Sequence, residues 1–188
     1  MVSRHDATLN LSALLKHSVH EHEVEETGLL MPGPATLEAD GLRLADPLRW
    51  RLQVQTTGGD AEFFLSGDVK GTAIQECRRC LEDVSSELQT HFMFTMVYRP
   101  SQAPLQLLEE DDENDTLVFG QPLVDFAPLL SQLFAMEQPL TVLCREDCKG
   151  LSPDGVNLNH NPEHSVPEDS KPEAERSSPF AVLKDLDV

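Results

Sequence analysis

The chain is short of positive charge: 14 Lys and Arg stand against 33 Asp and Glu, a net charge of −19. Such a balance repels phosphate backbones and anionic membrane surfaces, so a basic protein or a screened local contact fits better as partner. Also missing is any run near the ~20 apolar residues that span a bilayer. The start Met-Val-Ser-Arg-His-Asp leads into no signal-peptide core, and a cytoplasmic protein with no membrane partner is expected. No glycine-rich phosphate loop is present, and no nucleophile motif has a partnered histidine. Neither enzymatic activity nor a small-molecule substrate is therefore expected. The nearest enzyme reading is a nuclease holding divalent ions at a carboxylate-rich loop.

What charge there is falls unevenly. Residues 1–100 hold 9 basic and 15 acidic side chains, and residues 101–188 hold 5 and 18, so any nucleic-acid contact belongs in the first half. Arg49 and Arg51 share the outward face of one strand, Arg78 and Arg79 sit between two cysteines, and Arg43 and Arg99 extend the set. These arginines are candidates for RNA or partner binding; the plainer reading is that they pair with the surplus carboxylates.

Asn10 is placed to cap a short helix with Leu11, Leu14 and Leu15 on one face, after which His20 to Glu26 breaks the apolar pattern. His17, His20 and His22 near its end are interleaved with glutamates and read as a solvated face rather than as ligands. From Leu48 to Gln55 the residues alternate, with Leu48, Trp50, Leu52 and Val54 on one side, which marks a half-buried strand. Turn residues 57–60 and the alternating Phe63, Leu65 and Val69 predict a returning strand that delivers the first cysteine pair. Leu88 to Tyr98 reads as a central strand covered on both faces, with His91 a sheet residue. The acidic block Glu109 to Asp115 is expected to be a solvated loop. Asp125 caps a helix reaching Met136, with Phe126, Leu129, Leu130, Leu133 and Phe134 at helical spacing and Pro139 as the stop.

Four cysteines remain: Cys77 and Cys80 with a two-residue spacer, Cys144 and Cys148 with a three-residue spacer. Short spacers let one tight turn present two sulfurs to the same ion, so the pairs suit one structural all-thiolate zinc site. A second set joins Cys144 and Cys148 to His160 and His164, although Pro162 argues against a helix across the histidines. Unmetallated thiols, and dithiol exchange at Cys77 and Cys80 activated by Arg78 and Arg79, are the other readings.

Together these segments resemble the YceD family, bacterial and plastid proteins linked to accumulation of large-subunit ribosomal RNA. The resemblance rests on Glu76-Cys77-Arg78-Arg79-Cys80-Leu81, Asp147-Cys148-Lys149-Gly150-Leu151, Gly155-Val156-Asn157-Leu158-Asn159 and Pro179-Phe180-Ala181-Val182-Leu183-Lys184, in the family's order and over most of the chain. One departure stands out. Where full-motif members carry two further cysteines after Lys-Gly-Leu, this chain has Ser152, Pro153 and Asp154, so a metal site is either absent or rebuilt.

The expected fold is α+β, a mainly antiparallel β-sheet over residues 48–55, 61–76 and 86–98 with a few short helices and a disordered acidic C-terminal tail. One domain should span 1–159, followed by a disordered Pro/Glu/Ser linker over 160–178 and a C-terminal docking segment over 179–188. The resemblance implies a non-enzymatic factor supporting synthesis, processing or stability of large-subunit (23S) RNA. Its partner would be the RNA precursor or a basic ribosomal protein.

Overall fold

Leu48, Trp50, Leu52 and Val54 are all buried, while Arg49 and Arg51 between them are exposed, and this period of two builds the strand on which the fold is laid. The computed structural model describes residues 6–16, 22–58, 61–110 and 114–165. In chain order these form β1 (Thr8–Asn10), α1 (Ser12–Leu15), β2 (Glu23–Leu30), α2 (Pro34–Ala39), β3 (Leu48–Thr56) and β4 (Glu62–Glu76). There follow β5 (Asp83–Tyr98), β6 (Gln106–Glu110), β7 (Asn114–Phe119), β8 (Leu123–Asp125) and α3 (Ala127–Met136).

Six strands make one sheet in the order β2-β3-β4-β5-β7-β6, antiparallel except where β5 runs parallel to β7. The expected α+β architecture is thus what the chain adopts. The two-stranded β1–β8 ribbon brings the N-terminal segment to the start of α3. One face of the large sheet carries the core, in which Phe63, Leu65, Val69 and Met96 meet Leu14 of α1 and Leu130 and Phe134 of α3. A fully buried Leu or Phe of this kind contributes about 1.5–3 kcal/mol. The opposite face is open, with Arg49, Arg51, Lys70, Gln89 and His91 exposed along it.

The long strands β4 and β5 are the element that positions the cysteines. They pair without a break from Glu62↔Val97 to Glu76↔Asp83, so the hairpin ends in the turn that holds Cys77 and Cys80. Gly67 makes the close packing at its base workable: a Cβ there would lie 2.5 Å from the Arg51 carbonyl and 2.8 Å from the Phe92 ring.

Several local expectations shift. Asn10 and Asp125 act one residue earlier than a capping position: Asn10 Oδ1 accepts the Ser12 N–H at 3.0 Å and Asp125 Oδ1 the Ala127 N–H at 2.9 Å. The stretch read as a break runs into β2, an edge strand in which Glu23 and Glu25 are exposed and discourage pairing with other chains. The acidic block is not a plain loop. Its ends belong to β6 and β7, which pair through Glu109↔Asp115 and Glu110↔Asn114 because Leu117 and Phe119, both 1% exposed, anchor β7 in the core. Nor is β5 covered on both faces, since Met93 is 70% exposed on the open side. His17, His20 and residues 166–188, including the expected docking segment, lie outside the described residues; the turns continue from Asn159 through His160 to Ser165.

Candidate metal centre

The β4–β5 turn closes on itself before it meets anything else. Cys77 N–H donates to the Glu82 carbonyl at 2.8 Å and Leu81 N–H to the Cys77 carbonyl at 2.9 Å, which points the Cys77 and Cys80 sulfurs to the same side. The segment after α3 returns alongside, with Arg78 N–H donating to the Val142 carbonyl at 2.9 Å. Arg79 then staples the two turns together, while Arg78 ties the first turn to the segment that leads to the second. Arg79 Nη1 donates to the carbonyls of Cys148 at 2.9 Å and Glu146 at 3.3 Å, and Arg78 Nη2 to that of Leu140 at 3.2 Å.

The result is a cluster in which the sulfurs of Cys77, Cys80, Cys144 and Cys148 all lie within 4.8 Å of one another. Cys77 Sγ is 3.8 Å from Cys148 Sγ and Cys80 Sγ is 3.6 Å from Cys144 Sγ. A zinc–sulfur bond of about 2.3 Å in a tetrahedron separates its sulfurs by about 3.8 Å, so the spacing fits that ion, and it is far from the ~2.05 Å of a disulfide. Cys77, Cys80 and Cys148 are buried and only Cys144 is exposed as a residue.

Burial works against ionisation of Cys77, yet the backbone N–H groups of Cys144, Arg79 and Cys80 converge on its sulfur and draw the thiol down to about 6. At Cys80 the Glu82 N–H favours the thiolate, but burial and the three neighbouring sulfurs push that thiol up to about 12. The Asn159 amide lowers Cys148 against burial, and burial with the Cys148 sulfur raises Cys144, whose sulfur faces inward. The four therefore titrate as one unit, in which a first negative charge makes the next costly until a cation is present.

A ring of polar side chains surrounds the sulfurs, and most of it carried little signal in the sequence. Asn159 Nδ2 donates to Cys148 Sγ at 3.2 Å, and Cys80 Sγ donates to Glu82 Oε2 at 3.5 Å. His160 Nε2 donates to the other oxygen of Glu82, holding that carboxyl below its usual range with help from Cys80 and Asn157. In the sequence Asn157 and Asn159 carry a signal only as part of Gly155-Val156-Asn157-Leu158-Asn159, and Glu82 carries none.

The set of Cys144, Cys148, His160 and His164 is not what the structure brings together. His160 is committed to Glu82 and His164 to Asp154, at 2.8 Å, so neither ring joins the sulfurs. Ser152, which follows Lys149-Gly150-Leu151, donates its hydroxyl to Asp154 and accepts the Val156 N–H at 3.0 Å. Arg49 and Arg51 lie elsewhere. Arg49 pairs in register with Lys70, seven residues before Cys77 and so about 23 Å from it along the strand. Arg51 Nε meets Glu25 Oε1 at 2.9 Å, and Arg43 grips both oxygens of Asp83 at 2.7 and 2.8 Å.

Fold and site together define an α+β protein whose longest hairpin ends in a turn closed against a second turn by four thiols. A family model described as large ribosomal RNA subunit accumulation protein YceD matches residues 65–187, and the chain belongs to that family. Uncharacterized proteins of Mycobacterium bovis and Mycobacterium tuberculosis are 32% identical over 105 residues, which is 53% of this chain and 47% of theirs. The chain thus spans about half the length of these relatives. No solved structure matches it. Among the described residues no helix is long and apolar enough to cross a membrane.

Proposed function

We propose that this protein is a non-enzymatic cytoplasmic factor that supports synthesis, processing or stability of large-subunit (23S) ribosomal RNA. The family match over residues 65–187 carries the reading, because that span contains both cysteine pairs and the hairpin presenting them. The chemistry of the centre is consistent with it. Cys77, Cys80, Cys144 and Cys148 would hold zinc with every tetrahedral corner filled by sulfur, and the ion would act as a cross-link between the β4–β5 turn and the segment after α3. Ser152, Asp154 and His164 do not form a nucleophile and base, since hydroxyl and ring both donate to the same carboxylate.

Arg49 and Arg51 on the open sheet face, with Arg78 and Arg79 at the turn, are the surfaces proposed for RNA or a partner. In the same reading residues 160–178 act as a linker and 179–188 as a docking segment. Depletion of the protein should lower the ratio of large- to small-subunit RNA, and a rescue copy should restore it; an unchanged ratio would refute the proposal.

A basic ribosomal protein is the second reading, supported by the position of Glu109, Glu110 and Asp115 at the closing end of the β6–β7 hairpin. Deleting residues 109–115 should weaken binding to basic ribosomal proteins at physiological salt. Unchanged binding to all of them would exclude it. A cleavage assay on precursor RNA with added divalent ions separates both readings from a nuclease.

A further inference from the structure

A divalent ion held by four thiolates leaves a net charge of about −2 at the centre, inside a chain already at −19. Donors to sulfur are the means available to disperse that charge. Backbone N–H groups serve Cys77 and Cys80, from their own turn and, for Cys77, from Cys144 as well. Cys148 differs, because besides the Gly150 N–H it receives a side-chain donor from eleven residues away, Asn159 Nδ2 at 3.2 Å.

Asn159 is held for that task at both ends. Its Oδ1 accepts the Lys149 N–H at 2.8 Å, which fixes the amide so that nitrogen, not oxygen, faces the sulfur. Its own N–H is accepted by Asn157 Oδ1 at 2.9 Å, and Leu158 N–H donates to the Gly150 carbonyl at 2.9 Å. Gly150 permits the reversal through φ +78°, where a Cβ would press to 3.1 Å from the Arg79 carbonyl. The loop from Lys149 to Asn159 therefore leaves the Cys148 turn and returns a single N–H to the sulfur it started from.

We propose that Asn159 is a positioning residue of the metal centre: its amide orients Cys148 Sγ toward the other three sulfurs, disperses the thiolate charge, and so sets how firmly zinc is kept. This rests on the reading of the four cysteines as a zinc site. Loop closure alone would need only the oxygen of Asn159. Asn159→Asp separates the two roles, since a carboxylate keeps the acceptor for Lys149 N–H while losing the donor and placing negative charge against sulfur.

The test uses the full zinc-loaded chain in competition with a chelator, and the cobalt-substituted form for its thiolate-to-cobalt absorption. Asn159→Asp should lose 10- to 100-fold in zinc affinity, the range for removing an outer-shell partner. Its cobalt band should move to lower energy, because an unprotected thiolate gives up charge more easily. Trp50, 2% exposed in the sheet core, reports whether the fold survives. Zinc affinity within threefold of the parent chain would overturn the inference while leaving the metal site standing. Failure of the parent chain itself to take up zinc would overturn both, and loss of the Trp50 signal in Asn159→Asp would assign the residue to folding instead.

Discussion

Arg79 is the side chain whose removal best distinguishes a structural staple from a binding arginine. In the Arg79→Ala protein the Cys148 carbonyl loses a charged donor at 2.9 Å and the Glu146 carbonyl one at 3.3 Å. The first bond is partly buried and is worth about 1.5 kcal/mol; the second is exposed and adds about 0.5 kcal/mol after solvent screening. The turn carrying Cys144 and Cys148 should then open about 30-fold more often, since about 1.4 kcal/mol corresponds to a factor of ten. Hydrogen exchange of residues 144–151 reads that number directly, with Trp50 fluorescence as the control for the sheet. Arg78→Ala removes one exposed bond at 3.2 Å and should change exchange less than threefold. Equal exchange in the two variants would refute the staple. If Arg79→Ala instead weakened RNA binding with no change in exchange, the arginine would belong to the interface.

Gly67→Ala should cost about 3 kcal/mol in thermal or urea unfolding, because the Arg51 carbonyl at 2.5 Å is backbone and cannot turn away; a loss under about 0.5 kcal/mol would show that β3 shifts freely. Met96→Ala, at a fully buried position, should cost about 2–5 kcal/mol, whereas Met93→Ala on the open face should fall within about 0.5 kcal/mol, and equal costs would mean that the open face is covered. Acid should loosen the cysteine turns of the metal-free protein before the sheet. Arg43 holds the Asp83 carboxyl below its ordinary 3.8, so the stability it lends is complete above that value and is lost as pH falls through the lowered one. Ser152 and His164 do the same for Asp154, and amide protection at residues 76–83, after correction for the intrinsic pH dependence of exchange, that was higher at pH 3 than at pH 6 would contradict the sign.

How much of this was legible depended on where the information lay. The alternation in β3 to β5 is local and strong, and all three strands are found within a few residues of the ranges it predicts. By contrast β1 and β8 have three residues each, too few for a period to show, and exist because their backbones pair with each other. Three further strands were hidden by charge. Glu23 and Glu25 of β2 are exposed at a sheet edge, and the acids of β6 and β7 collect at the end of a hairpin anchored from its other end, so polarity did not exclude pairing. Cysteine spacing exposed the cluster because this chain has four cysteines and all fall in two close pairs, while Glu82 is one carboxylate among 33 acidic residues and only its position reveals what it touches.

Ser152 and Asp154 posed an alternative that the sequence left open, a centre either absent or rebuilt. If those positions had been needed, the remaining thiols would be scattered or paired two by two. Instead each close pair joins one turn to the other, Cys77 with Cys148 and Cys80 with Cys144, so neither turn brings its sulfurs into place without its counterpart. The loop where the substitution falls is not vacant either. Ser152 N–H donates to the Val156 carbonyl and the Ser152 hydroxyl oxygen accepts the Val156 N–H, Asp154 takes up the Ser152 hydroxyl and His164, and Asn159 returns from its far side to Cys148. Polar side chains thus hold that loop in shape, and the sulfurs of Cys77, Cys80, Cys144 and Cys148 come together within 4.8 Å without a further cysteine from it.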